Sequence, residues 1–126
     1  MRDWQIRTPE MLQGKTFEKS TPLGPYLVTP DEVDHGADLK VSCLVDDVVM
    51  QEASTSDMLY TGAQLVSYVS QFVTLVPGDV IATGTPGGIG ATRKPPIYLE
   101  HGKVMRTIVE GIGECVNPCV AAGRAA

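Results

Sequence analysis

Between residues 39 and 73 the hydrophobic positions change period, and that change predicts the two main elements of the chain. Leu39, Val41, Cys43 and Val45 alternate with Lys40, Ser42 and Leu44, the period of a half-buried strand. Asp46-Asp47 then occupies the place of a hairpin turn, and Val48 to Glu52 returns as the second strand. Downstream, Leu59, Ala63, Val66, Val69 and Val73 recur at helical spacing. Ser54-Thr55-Ser56-Asp57 precedes them with N-capping oxygens and a first-turn carboxylate, so one amphipathic helix is expected, ending before Pro77.

The remaining elements are shorter. The first fifteen residues read as polar and irregular, Thr21 to Pro25 as a turn-rich connector, Tyr26 to Thr29 as a short strand and Pro30 to Asp34 as a polar or helical turn. Pro77-Gly78-Asp79 reads as a tight turn, Val80 to Ala82 as a short buried strand, and Gly84 to Gly90 as a glycine-rich loop flanked by Thr83 and holding Thr85. Lys94-Pro95-Pro96 is a surface turn, because proline donates nothing to a ladder. Ile97 to Leu99, Val104 to Glu110 and a last segment after Gly113 read as strands, and Ala121 to Ala126 as a frayed tail. Nothing repeats. Many short strands with one main helix predict a mainly β (α+β) fold.

Composition narrows the function classes. At 126 residues and 43% hydrophobic content, residues 1–126 make one domain with room for a core. The net charge of −5 comes from scattered acids with no Lys/Arg cluster to follow a phosphate backbone, which argues against nucleic acid. No apolar run is long enough to span a bilayer as a helix, and Met1 to Gln5 lacks an apolar signal core, so no membrane partner and a cytoplasmic location are expected. Cys43, Cys115 and Cys119 lack the spacing and the nearby histidine of a zinc site and read as reduced structural thiols.

The glycine loop fits neither a Walker motif nor the Gly-x-Gly-x-x-Gly dinucleotide spacing, and taken alone it reads as a plain turn loop. Its context changes that reading. Arg2-Asp3-Trp4-Gln5, Gly14-Lys15-Thr16-Phe17, Pro22-Leu23-Gly24-Pro25, Gln51, Thr55-Ser56-Asp57-Met58, Leu75 to Asp79 and Thr83-Gly84-Thr85-Pro86-Gly87-Gly88 occur in one order and at characteristic spacings. Together, from Arg2 to Asn117, they resemble the C-terminal catalytic domain of the fumarylacetoacetate hydrolase family, whose members include acylpyruvate hydrolases and 2-hydroxyhepta-2,4-diene-1,7-dioate isomerases.

That resemblance implies a curled mixed β-sandwich roll and a metal-dependent enzyme, with Mg²⁺ or Mn²⁺, that hydrolyses C–C bonds in acylpyruvate-like 2-oxo acids. Decarboxylases and isomerases are among its relatives. It further implies Lys15 as the catalytic cation near the substrate head group, Arg2, Gln5 and Thr85 as substrate-binding residues, a small 2-oxo acid or dicarboxylate as ligand, and a homodimer. Trp4 and Phe17 are assigned to packing, and Asp79 to its own turn.

The departures matter as much. The family's Glu-x-Glu pair, and the Asp four residues before its Arg-Asp-x-Gln arginine, would both fall before Met1, and no Glu-x-Glu occurs in the 126 residues. The resemblance is therefore to an N-terminally truncated domain without metal ligands of its own. His35 and His101 read as exposed loop residues. Two readings remain open: the C-terminal portion of an active enzyme, or a non-catalytic remnant that folds or dimerises.

Overall fold

The computed structural model describes residues 1–121. Its centre is a four-stranded antiparallel sheet in the order β2-β1-β3-β4, built from β1 (Lys40–Val45), β2 (Val48–Ser54), β3 (Val104–Val109) and β4 (Gly113–Pro118). The expected hairpin is present. Asp46 and Asp47 both take positive φ, 48° and 63°, as a two-residue turn matched to strand twist requires. Val41, Cys43 and Val45 stand opposite Val109, Thr107 and Met105 on β3, so the period-two pattern read from β1 becomes one face of the sheet.

The β1–β2 register is interrupted once. Cys43 pairs with Gln51 and Leu44 with Val49, which leaves Met50 as the extra residue of a β-bulge. The bulge lies directly before Gln51.

The main helix, α2, spans Gly62–Val69 and is shorter than its hydrophobic pattern suggests. Its cap is not the Ser54–Asp57 group. Those residues form their own capping box around a 3-10 turn at Thr55–Asp57, while Thr61 and Gln64 cap α2 reciprocally. Leu59 thus precedes the helix and Val73 follows it. The first fifteen residues are more regular than expected, with a short helix α1 (Arg2–Gln5) and a 3-10 turn at Leu12–Lys15. Pro30–Glu32 is the expected helical turn.

Three short strands expected from apolar composition do not form. Tyr26 to Thr29, Val80 to Ala82 and Ile97 to Leu99 carry no ladder pairing, and Leu27 and Val80 are 98% and 69% exposed. β-branched and aromatic residues favour a strand only where an edge is available to pair with, and these segments find none among the described residues. The frayed tail expected at the C-terminus lies, beyond Ala121, outside the described residues.

The fold is mainly β with one main helix, as expected, but the core is not. No hydrophobic side chain among the described residues is fully buried. One sheet and one short helix make too few layers to enclose a core. No helix of the described residues is long and apolar enough to cross a membrane.

Candidate functional site

The residues singled out by sequence fall into two groups. In the first, α1 and the following 3-10 turn pack at Gly14, where a Cβ would overlap the Cβ of Gln5, so only glycine permits the approach that sets Lys15 beside α1. Arg2 Nη1 donates to Gln5 Oε1 at 2.9 Å. Trp4 and Phe17 meet edge to face, centroids 6.4 Å apart, and the Arg7 guanidinium lies 3.8 Å from the Trp4 ring centroid. Trp4 and Phe17 therefore serve packing, and they tie the turn bearing Lys15 to the helix bearing Arg2 and Gln5.

The second group is the glycine loop on β2. Gln51 Nε2 donates to Thr85 Oγ1 at 2.9 Å and to the Pro86 carbonyl at 2.7 Å. A carbonyl can only accept, so the Pro86 contact fixes which end of the Gln51 amide faces the loop. Further along, Gly88 has φ +98°, and a Cβ there would overlap the Met50 carbonyl oxygen. Arg93 Nε donates to the Gly88 carbonyl at 3.0 Å, and its Nη2 donates to the carbonyl of Met50, the bulged residue. No sequence signal marked Arg93, because an arginine before Lys94-Pro95-Pro96 reads as part of a surface turn.

Beside this loop lies a groove of about 370 Å³ lined by Val41, Ala53, Met58, Leu65, Thr83 and Thr85 among others. Its lining mixes these apolar side chains with the hydroxyls of Ser54, Thr55, Tyr60, Thr83 and Thr85 and the carboxylate of Asp57, a small-ligand pocket with several orienting polar groups. Thr55 stabilises the neighbouring wall by donating to the Gly36 carbonyl at 2.7 Å and accepting from Leu39 N–H at 2.8 Å. On the same sheet row as Gln51, partial burial pushes the Cys43 thiol above its usual pKa.

Arg2 and Gln5 are thus joined, with the turn that bears Lys15 packed against the same helix, while Thr85 and Gln51 form a second group. No hydrogen bond joins the two among the described residues. Asp79 accepts from the Val76 N–H at 2.9 Å and returns its own N–H to the Val76 carbonyl, the turn-closing role expected of it. His35 and His101 are both exposed. Cys43, Cys115 and Cys119 are free thiols. Among the described residues no group of three or more His, Cys, Asp or Glu side chains could hold a metal ion, so the donor set for Mg²⁺ or Mn²⁺ is not furnished by them.

Comparison with known proteins identifies relatives of this chain. The family profile described as Fumarylacetoacetate (FAA) hydrolase C-terminal matches residues 1–120. The chain is 44% identical over 120 residues to the mitochondrial oxaloacetate tautomerase Fahd2a of Rattus norvegicus, covering 94% of this chain and 38% of that protein. Among solved structures, a fumarylacetoacetate hydrolase from Exiguobacterium antarcticum superposes with a TM-score of 0.86 at 41% identity, over 95% of this chain and 43% of that one. Maleylpyruvate hydrolase from Sphingobium sp. SYK-6, crystallised with manganese(II) and pyruvate, superposes with a TM-score of 0.68 at 34% identity, over 79% and 35%. The chain spans well under half the length of each of these relatives.

Proposed function

The chain belongs to the fumarylacetoacetate hydrolase family, and on that premise we propose that it forms the C-terminal wall of a pocket for a small 2-oxo acid or dicarboxylate. The reaction class that fits is one passing through the substrate's enol: tautomerisation, or hydrolysis of the C–C bond in an acylpyruvate. The similarity to an oxaloacetate tautomerase and to two hydrolases, one of them crystallised with pyruvate, supports that class.

The observation that carries the reading is the position of Thr85. Its hydroxyl, a lining group of the groove, is held by an amide donor, where a carboxylate can receive it. In this reading Lys15 is the catalytic cation, stabilising negative charge that develops on the enol oxygen, and Arg2 and Gln5 bind the rest of the substrate. Mg²⁺ or Mn²⁺ would act as a Lewis acid on the 2-oxo group, though among the described residues no group of three or more His, Cys, Asp or Glu side chains could hold it. A homodimer in a reducing compartment, the cytoplasm being the simplest, completes the proposal; the rat relative is mitochondrial by name.

A second reading is favoured by the missing donor set: a folded domain without catalysis of its own. Both readings are decided by turnover of enol oxaloacetate and of an acylpyruvate with Mg²⁺ or Mn²⁺ present, in wild type, Lys15→Ala and Thr85→Ala. The first reading expects each substitution to lower turnover about 100-fold, the scale of a lost oxyanion donor, with unchanged melting. Wild-type kinetics in both variants would dismiss the site assignment. No turnover and no metal uptake by the wild-type chain would favour the non-catalytic reading.

A further inference from the structure

Thr85 is one hydroxyl on a loop with four glycines between residues 84 and 90, and a loop of that composition does not hold a side chain still by itself. What holds it is β2. The bulge at Met50 breaks the ladder at one residue, turns the Met50 carbonyl toward Arg93, and leaves Gln51 aimed at the loop. Two half-buried side chains then tie the loop down at separate points, Gln51 at Thr85-Pro86 and Arg93 at Gly88.

We propose that Gln51 is a positioning residue that makes Thr85 a hydroxyl donor to an anionic ligand, and that Arg93 on the bulged Met50 carbonyl is the second strut of the same clamp. The inference rests on the reading of Thr85 as a 2-oxo acid contact and extends it. Its chemistry is a matter of counting protons. Gln51 Nε2 has two hydrogens, one given to the Pro86 carbonyl at 2.7 Å, with the Gly87 carbonyl as a long secondary acceptor at 3.5 Å, and one to Thr85 Oγ1. Thr85 accepts that second hydrogen, and no acceptor among the described residues takes its own, so the hydroxyl proton is left for the groove. Had the amide faced the other way, its oxygen would compete for that proton and Thr85 would meet a carboxylate with lone pairs.

Four variants test this with pyruvate as probe, with and without Mn²⁺: Gln51→Leu, Gln51→Glu, Arg93→Met and Thr85→Val. Pyruvate affinity is expected to fall about tenfold in Gln51→Leu and in Thr85→Val, and no further in the double variant, because Gln51 acts through Thr85. In Gln51→Glu the introduced carboxylate takes the Thr85 proton, so binding is lost at pH 7 and recovers relative to wild type as the pH falls through about 4.3, where the carboxyl becomes a donor. A merely structural role would give no such pH dependence. Additive losses in the double variant, or a pH-independent Gln51→Glu, would overturn the positioning role.

Backbone ¹⁵N relaxation supplies a readout that needs no ligand. Order parameters at Gly84, Thr85 and Gly87 are expected to fall from about 0.85 to under about 0.6 in Gln51→Leu, and those at Gly88, Ile89 and Gly90 in Arg93→Met, with the sheet amides of β1 and β3 unchanged. Unchanged order parameters in either variant would remove the clamp. If the wild-type chain binds no pyruvate, with or without Mn²⁺, the 2-oxo acid reading fails and the role of Gln51 as donor-setter for a ligand fails with it, while loop relaxation still decides the clamp.

Discussion

At the first corner of the β1–β2 turn, Asp46 holds the end of β3 in place. Its carboxylate accepts from the Val104 N–H at 2.9 Å and from Lys103 Nζ at 2.7 Å. The Lys103 contact and the Val104 N–H hold the Asp46 carboxyl below its ordinary value of 3.8, and Asp46 in turn raises Lys103 above 10.5. The signs are opposite. A depressed carboxyl contributes stability above 3.8 that is lost as the pH falls through the lower folded value, whereas the raised lysine contributes below 10.5 and its share is lost as the pH rises through the higher one. Both groups are exposed, so the effect is local, and salt weakens it. The Val104 amide proton should therefore keep its hydrogen-bonded shift until the pH drops below 3.8, then move with a midpoint under that value. A midpoint at or above 3.8 in a nuclear magnetic resonance titration would show that the pair is not formed in solution.

Among the elements, the two capping boxes show where sequence reading was sufficient and where it was not. Ser54-Thr55-Ser56-Asp57 carries the stronger capping composition, yet it caps a 3-10 turn, and the helix begins seven residues later than that group would suggest, behind Thr61. The choice is made by tertiary contacts: Ser54 and Ser56 donate to Asp38 Oδ1, and Thr55 donates to the Gly36 carbonyl, so the segment is already held by the preceding loop. Replacing Thr61 with alanine should cost about 1 kcal/mol and fray α2 from its first turn. Ser54→Ala should loosen the Asp38 loop and leave α2 helicity unchanged by circular dichroism and amide exchange. Equal loss of α2 protection in both variants would restore the longer helix.

The strands and the turn of the hairpin, in contrast, were legible, because a period of two and a two-residue turn are local signals that the ladder then confirms. Thr85 was legible only through its neighbours in the family pattern. The bulge at Met50 and the role of Arg93 were not legible at all, since a bulge depends on a register set between strands and Arg93 finds its acceptors 43 and 5 residues away. The unpaired segments at Tyr26, Val80 and Ile97 were misread for a related reason. Their apolar content reports a surface that wants covering and does not say by what.

At the scale of the whole molecule, that uncovered surface has a size. The chain exposes 9944 Å², whereas a compact monomer of 13.5 kDa exposes about 6,500 Å² by the usual scaling of area with mass. The excess is roughly 3,000 Å², several times the ~800 Å² that one partner contributes to a standard interface. It is rich in large apolar side chains, Leu27, Leu59, Tyr68, Phe72 and Val80 among them. A single ordinary dimer contact would leave most of it in water. The relatives are more than twice as long as the segment they share with this chain. Produced as 126 residues, the chain should therefore associate. Sedimentation velocity should show species heavier than 13.5 kDa whose proportion grows with concentration, together with strong binding of a hydrophobic dye. A single 13.5 kDa boundary at all concentrations, without dye binding, would mean that the apolar surface closes on itself in solution, and that the open sheet described here is not the state the isolated chain adopts.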